Sequence, residues 1–200
     1  MRGAANKILQ LEGKPILCAH SSGNHAQAVA YIAQQKEMEA HIIMPIDTPM
    51  VKQDAVKQYG ANIVHSGPTQ KEQEEVSDRV AKELSATFVH PYNDLKIIAG
   101  AATCALEIYE ELKDLDYLLV PIGGGGLSSG TVLSTYYFSP KTQVIGVQPF
   151  LAGDAKDSLE KGSIQPQYPP LTLAEGVRVN LGEVNFPILK KHITDVILVR

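Results

Sequence analysis

Residues Tyr117-Leu118-Leu119-Val120 lead into Pro121-Ile122-Gly123-Gly124-Gly125-Gly126-Leu127-Ser128-Ser129-Gly130, an apolar run, four consecutive glycines and a helix-compatible segment. Four glycines forgo side-chain contacts and cost backbone entropy on ordering, more than a simple chain reversal requires. What they gain is close approach. Successive backbone N–H groups can close around an anion, and a helix N-terminus behind them adds partial positive charge. No lysine follows the glycines, unlike the nucleotide P-loop, and the dinucleotide pattern Gly-x-Gly-x-x-Gly fits poorly. The stretch therefore reads as a cradle for the phosphate of a smaller cofactor, set against the plainer alternative of a flexible glycine loop.

Outward from this stretch, short apolar runs alternate with helix-period segments. Strands are expected at Pro15–Ala19, Ala40–Met44, Ala61–His65, Thr87–His90, Tyr117–Pro121, Val144–Val147 and Val196–Val199. Between them, Ala26, Val29, Ala30 and Ala33 follow the i, i+3, i+4, i+7 spacing of a helix face, as do Ala105, Ile108, Tyr109 and Leu112. Thr69–Ala86 is amphipathic through Val76, Val80 and Leu84, with acidic residues in its first turns as the helix dipole favours. Such alternation predicts βαβ units and an α/β fold with a mainly parallel sheet, whose ligands bind where strands lead into helices. From Phe150 to Gly182 the alternation lapses into a passage rich in Pro, Gly and charge, including Pro166-Gln167-Tyr168-Pro169-Pro170, expected to be a long surface excursion.

A second loop of the same kind is His20-Ser21-Ser22-Gly23-Asn24-His25, between an expected strand and an apolar helix face. A helix cap needs one Ser or Asn; two serines, a glycine, an asparagine and a histidine exceed that need and favour carboxylate or phosphate binding. His41, His65, His90 and His192 are isolated, without the i, i+4 pairing of helical metal sites, and are expected to be structural. The Gly-x-Ser-x-Gly elbow of hydrolases is absent.

The 200 residues are 44% hydrophobic and 20% charged with a net charge of −4, which fits an ordinary globular protein and argues against nucleic acid or an anionic membrane as partner. No segment reaches the roughly 18 uninterrupted apolar residues of a membrane span, and the first residues lack the apolar core of a signal peptide. A cytoplasmic location is the expectation. Cys18 and Cys104 lie in apolar segments far apart and read as reduced, buried thiols rather than a disulfide.

Several local patterns, taken in order, resemble one family along essentially the whole chain. They are Arg2-Gly3-Ala4-x-Asn6, Ser21-Ser22-Gly23-Asn24-His25, Lys57-x-Tyr59-Gly60-Ala61, His90-Pro91, Ile98-Ala99-Gly100, Val120-Pro121-x-Gly123-Gly124-Gly125-Gly126 and Ala174-x-Gly176-Val177. The chain resembles fold-type II pyridoxal-5′-phosphate (PLP) enzymes of the serine racemase and serine/threonine dehydratase (threonine ammonia-lyase) group. The resemblance implies a tryptophan synthase β-like architecture of two three-layer α/β/α lobes with mainly parallel sheets. Residues 1–15 would start the large domain, 16–93 form the small mobile domain and 94–200 form the large cofactor-binding domain. Gly123, Gly124, Gly125, Gly126 and Leu127 would hold the PLP phosphate, and Asn24 would contact the pyridine hydroxyl. Ser21, Ser22 and His25 would line the substrate carboxylate site, with Ser22 exchanging a proton at Cα on the face opposite the family's lysine. The implied activity is dehydration of L-serine or L-threonine to a 2-oxoacid and ammonia, serine racemisation, or hydroxyaspartate elimination, by a homodimer.

The departures are also informative. The family motif is Ser-x-Lys-x-Arg-Gly-Ala, and Met1 stands between its Lys and Arg, so the catalytic lysine is expected one residue upstream and the chain by itself is expected to be inactive. Val196–Arg200 stops before the family's Ser-Gly-Gly-Asn segment. These two differences leave a second reading open, a non-catalytic PLP- or anion-binding module. Gln148 stands where the group's divalent-cation site has Glu, and Gly153 replaces an acidic neighbour, so Asp154 is the one carboxylate left there. A carboxamide is a weak ligand for a hard cation, and no metal site is expected. Ala101-Ala102 replace a Gln-Gly pair and Glu175 an Asp.

Overall fold

A computed structural model describes residues 1–166 and 171–200. The chain divides into two compact units, Met1–Pro91 and Tyr92–Arg200. The first contains α1 (Arg2–Ile8), β1 (Leu17–His20), α2 (Asn24–Gln35), β2 (Ala40–Pro45), α3 (Met50–Lys57), β3 (Asn62–Ser66), α4 (Gln70–Glu83) and β4 (Thr87–Phe88). Its four strands pair in the order β3-β2-β1-β4, all parallel. Residues 1–15 belong to this unit, with α1 packed on α2.

Burial explains why β1 and β2 read as continuous apolar runs: both faces of a parallel sheet are covered. Cys18 and Ile43 turn toward α4, where they meet Val76 and Val80. Alternation then puts Leu17, Ala19, Ile42 and Met44 on the other face, and α2 packs against the same two strands with Ala26, Val29, Ala30 and Ala33 buried. The amphipathic segment at 69–86 is α4, opened by a capping box: Thr69 Oγ1 accepts the Glu72 N–H, and the Glu72 carboxylate accepts the Thr69 N–H at 3.0 Å. Cys18 and Cys104 are free thiols, Cys18 buried and Cys104 half-buried. Burial pushes the Cys18 thiol up to about 11.

The second unit contains α5 (Leu95–Glu111), β5 (Tyr117–Pro121), α6 (Gly126–Phe138), β6 (Gln143–Pro149), α7 (Asp154–Lys161), α8 (Asn185–His192) and β7 (Asp195–Val199), with 3-10 turns at Phe150–Ala152 and Glu175–Val177. Its strands pair in the order β5-β6-β7, again all parallel. The core joins Val120, Ile122, Val144 and Val196 to Val132 of α6, Ala155 of α7 and Leu189 of α8.

Two expectations change. The segment 150–182 is not wholly irregular, because α7 occupies Asp154–Lys161, started after Gly153 and stopped by Gly162 at φ 75°. Its eight residues carry one alanine and one leucine on the buried side, too few to announce a period. Leu112 is not on the face of α5: the helix ends at Glu111 and Leu112 is extended and exposed. Residues 167–170 of the Pro-rich stretch lie outside the described residues. Among the described residues no helix is long and apolar enough to cross a membrane.

Candidate cofactor and substrate site

In the first unit β1 delivers the chain to Ser21, whose N–H donates to the Ile43 carbonyl at 3.1 Å and extends the pairing with β2 by one residue. The Ser21 Oγ accepts the Gly23 N–H at 3.2 Å. Gly23 is the N-cap of α2, and no side chain caps the helix. The expectation that a Ser or Asn here could serve simply as a cap is therefore not met by Ser21, Ser22 or Asn24. The helix's first bond runs from the Gln27 N–H to the Gly23 carbonyl at 3.3 Å, so the N–H groups of Asn24, His25 and Ala26 have no acceptor within it. Asn24 is exposed and Ser21 and Ser22 are half-buried. A 12-residue helix thus presents its positive end beside two serines.

His25 turns back from this helix end. Its Nε2 lies 2.9 Å from the Val89 carbonyl. A carbonyl only accepts, so this geometry assigns the ring proton to Nε2 and leaves Nδ1 as a lone-pair acceptor. Burial pulls the imidazole down to about 4, against the Val89 hydrogen bond, which raises it. The ring is neutral near pH 7, and it pins the start of α2 to the chain following β4. His20, at the end of β1, stacks edge-on with Phe88 at 5.3 Å and with His90 at 6.0 Å between ring centroids. Burial lowers its pKa while the Glu74 and Asp78 charges oppose that shift. The other histidines expected to be structural differ in setting: His41 meets the Glu39 carboxylate at 2.7 Å, His192 packs on Tyr136, and His65 is exposed on β3.

In the second unit β5 leads into the glycine loop. Gly125 is the N-cap of α6 with φ 94°, a left-handed conformation natural to glycine. A Cβ on Gly124 would lie 2.3 Å from the Tyr92 ring, so the loop is walled closely enough that side chains cannot be added. The first helical bond is from the Ser129 N–H to the Gly125 carbonyl at 2.8 Å, leaving the N–H groups of Gly126, Leu127 and Ser128 without an acceptor in the 13-residue helix. Asn185 packs beneath Gly125, where a Cβ would come within 2.7 Å of its own Cβ, and its Nδ2 donates to the Tyr92 carbonyl at 3.1 Å. The buried Asn185 Oδ1 and Ser129 Oγ have no hydrogen-bond partner among the described residues. Free helix-terminal donors, the orphaned Ser129 hydroxyl, which can donate, and backbone bare of side chains fit a small phosphate.

Asn185 was not among the expected site residues, since a lone asparagine opening a short helix carries no local signal of a distant contact. The positions expected from the cation-binding pattern do not fit a divalent ion. The Gln148 Nε2 lies 3.3 Å from Asp154 Oδ1, so an amide donor occupies the place beside the carboxylate, and Gln148 Oε1 is committed to the Lys156 N–H at 3.0 Å.

Two parallel α/β units, each with a glycine-containing loop between a strand's carboxyl end and a helix N-terminus, define an α/β protein with mainly parallel sheets. The chain belongs to the pyridoxal-phosphate dependent enzyme family, whose model matches residues 1–200. It is 37% identical over 199 residues to the β-hydroxyaspartate dehydratase of Paracoccus denitrificans (strain Pd 1222), covering 98% of this chain and 63% of that protein. It matches the structure of maize serine racemase with a TM-score of 0.96 at 37% identity, over 99% of this chain and 61% of that one. The processed form of threonine deaminase isoform 2 from Solanum lycopersicum matches with a TM-score of 0.94 at 33% identity, over 99% of this chain and 56% of that one. The chain therefore spans between 56% and 63% of the length of these three relatives. The fold is that of fold-type II PLP enzymes.

Proposed function

We propose that this chain carries the cofactor-phosphate and substrate-carboxylate sites of a PLP-dependent enzyme acting on small hydroxy amino acids, by dehydration to a 2-oxoacid and ammonia or by racemisation. The observation that carries the reading is the glycine loop, with three helix-terminal N–H groups lacking a helical acceptor and walls that exclude any side chain. When bound, PLP supplies an electron sink for the Cα of an amino acid, which makes the Cα–H acidic and a β-hydroxyl expellable. Gly123, Gly124, Gly125, Gly126 and Leu127 hold the phosphate through backbone N–H groups. Asn24 donates its side-chain amide to the ring hydroxyl. Ser21, Ser22 and the first amides of α2 receive the substrate carboxylate, and the Ser22 hydroxyl gives or takes the proton at one face of Cα. His25 serves by holding the α2 terminus in place, because its remaining nitrogen is an acceptor and repels a carboxylate oxygen. The family resemblance and the two free thiols favour a homodimer in the cytoplasm.

Titration of PLP against the wild type and Gly125→Asp tests the reading. The substitution adds a Cβ at a left-handed residue, against Asn185, and a carboxylate beside the phosphate. The expected loss is about 100-fold in affinity, or about 2.7 kcal/mol. Equal affinity for the two proteins would overturn the assignment.

A further inference from the structure

Behind the glycine loop, in a core otherwise built from Val120, Ile122, Val144, Ala155 and Leu181, lies a polar pair: Gln148 is 0% and Asp154 2% exposed. The Gln148 Nε2 donates to the Ile122 carbonyl and to Asp154 Oδ1, both at 3.3 Å, and Gln148 Oε1 accepts the Lys156 N–H at 3.0 Å. Asp154 Oδ2 accepts the Leu181 N–H at 3.0 Å. The next residue, Gly182, donates its N–H to the Gly124 carbonyl at 3.0 Å, and Asn185 then packs under Gly125. The pair thus grips the loop from two sides, through the residue that enters it and through the segment that backs it.

The orientation of the Gln148 amide is dictated by this network. Turned over, its oxygen would face the Ile122 carbonyl and the Asp154 carboxylate, and its NH2 would face the Lys156 N–H. A glutamate here would set two carboxylates against each other in a dry core, an arrangement that calls for a cation. The carboxamide provides an N–H donor in that place.

We propose that Gln148 and Asp154 are positioning residues which form a cation-independent brace for the glycine loop, so that this chain sets its phosphate cradle without the divalent ion of the group it resembles. The proposal rests on the reading of the loop as a phosphate cradle, and it is tested first without PLP. Hydrogen exchange of the amides between Ile122 and Gly130, and thermal unfolding, are compared in EDTA and in millimolar Mg2+ or Mn2+, for the 200-residue protein and for Gln148→Glu and Gln148→Leu. The wild type is expected to give the same loop exchange and the same Tm with and without cation. Gln148→Glu is expected to exchange its loop about tenfold faster in EDTA and to recover with cation, whereas Gln148→Leu is expected to lose protection in both conditions. PLP titration should then follow the same order, weakened about tenfold and rescued by cation only in the glutamate variant. A wild type whose loop or Tm responds to cation overturns the proposal, as does a Gln148→Leu loop that exchanges like the wild type, or a Gln148→Glu that folds and behaves like the wild type in EDTA. Should Gln148→Glu fail to fold, the leucine variant decides. A wild type that does not bind PLP refutes the cofactor reading and leaves the exchange result to judge the brace on its own.

Discussion

At the scale of single residues, His25 links the candidate site to the stability of the first unit. Its imidazole titrates near 6.5 when unfolded and, held by burial, at about 4 when folded. Between those values the unfolded chain binds more protons, so stability rises with pH in that window. The contribution is complete above about pH 6.5 and is lost as pH falls toward 4. The shift corresponds to about 3 kcal/mol if the ring were wholly dry, and to about 2 kcal/mol allowing for its partial exposure. His20 and His192, also lowered by burial, add in the same direction. Urea unfolding at pH 7 and pH 5 should therefore show a lower midpoint at pH 5. His25→Gln should narrow that difference while lowering stability at pH 7, because it alters the hydrogen bond to Val89. An undiminished difference in the variant would remove His25 as a source of the pH dependence.

At the scale of elements, α5 and α6 approach closely at Gly130. A Cβ on Gly130 would lie 2.6 Å from the Ala102 backbone nitrogen and 2.8 Å from the Ile98 carbonyl oxygen. Backbone atoms cannot rotate out of the way, so the helices would have to separate. The Ser134 Oγ donates to the Ala102 carbonyl at 2.8 Å, and Tyr109 and Thr135 share a hydroxyl contact of 2.6 Å, both of which separation would strain. Gly130→Ala is expected to cost about 2 kcal/mol, read as a lower denaturant midpoint at unchanged m-value. An unshifted midpoint would mean the pair can part freely. This contact is to the Ala102 backbone, which any residue would present, so the alanine at that position has no structural explanation. What the sequence displayed plainly were features whose cause is local. The buried face of α2, the capping box of α4 and the two loops ahead of α2 and α6 are each written within a few adjacent residues. The brace of Gln148 on Ile122, the Asp154 bond to Leu181 and the seat of Asn185 under Gly125 join residues 26 to 60 positions apart, where no spacing rule applies. Gln148 was conspicuous as a departure, but what it grips required the fold.

At the scale of the whole molecule, the two sheets differ in how they are covered. In the first unit α2 and α4 both pack on β1 and β2. In the second, α6, α7 and α8 contribute to the core formed by Val120, Val144 and Val196. The register pairs Leu119 with Ile145, and Val147 with Ile197, so alternation turns these side chains together with Tyr117 and Val199 to the opposite face. Tyr117, Leu119, Ile197 and Val199 are 57%, 59%, 38% and 44% exposed. Parallel sheets are ordinarily covered on both faces, and a contiguous apolar face on three parallel strands is an association surface. Among the described residues the strands at its edges, β5 and β7, each pair with a strand on one side only, and such edges can template pairing. The 200-residue protein is therefore expected to bind the dye ANS and to self-associate at micromolar concentration. The double variant Leu119→Lys, Ile197→Lys should suppress both effects while leaving PLP titration unchanged, since neither residue touches the glycine loop or its brace. Light scattering coupled to gel filtration, with ANS fluorescence on the same samples, reads this out. A wild type that elutes as a monomer without dye enhancement would show that the face is tolerated bare, and the expectation would be wrong.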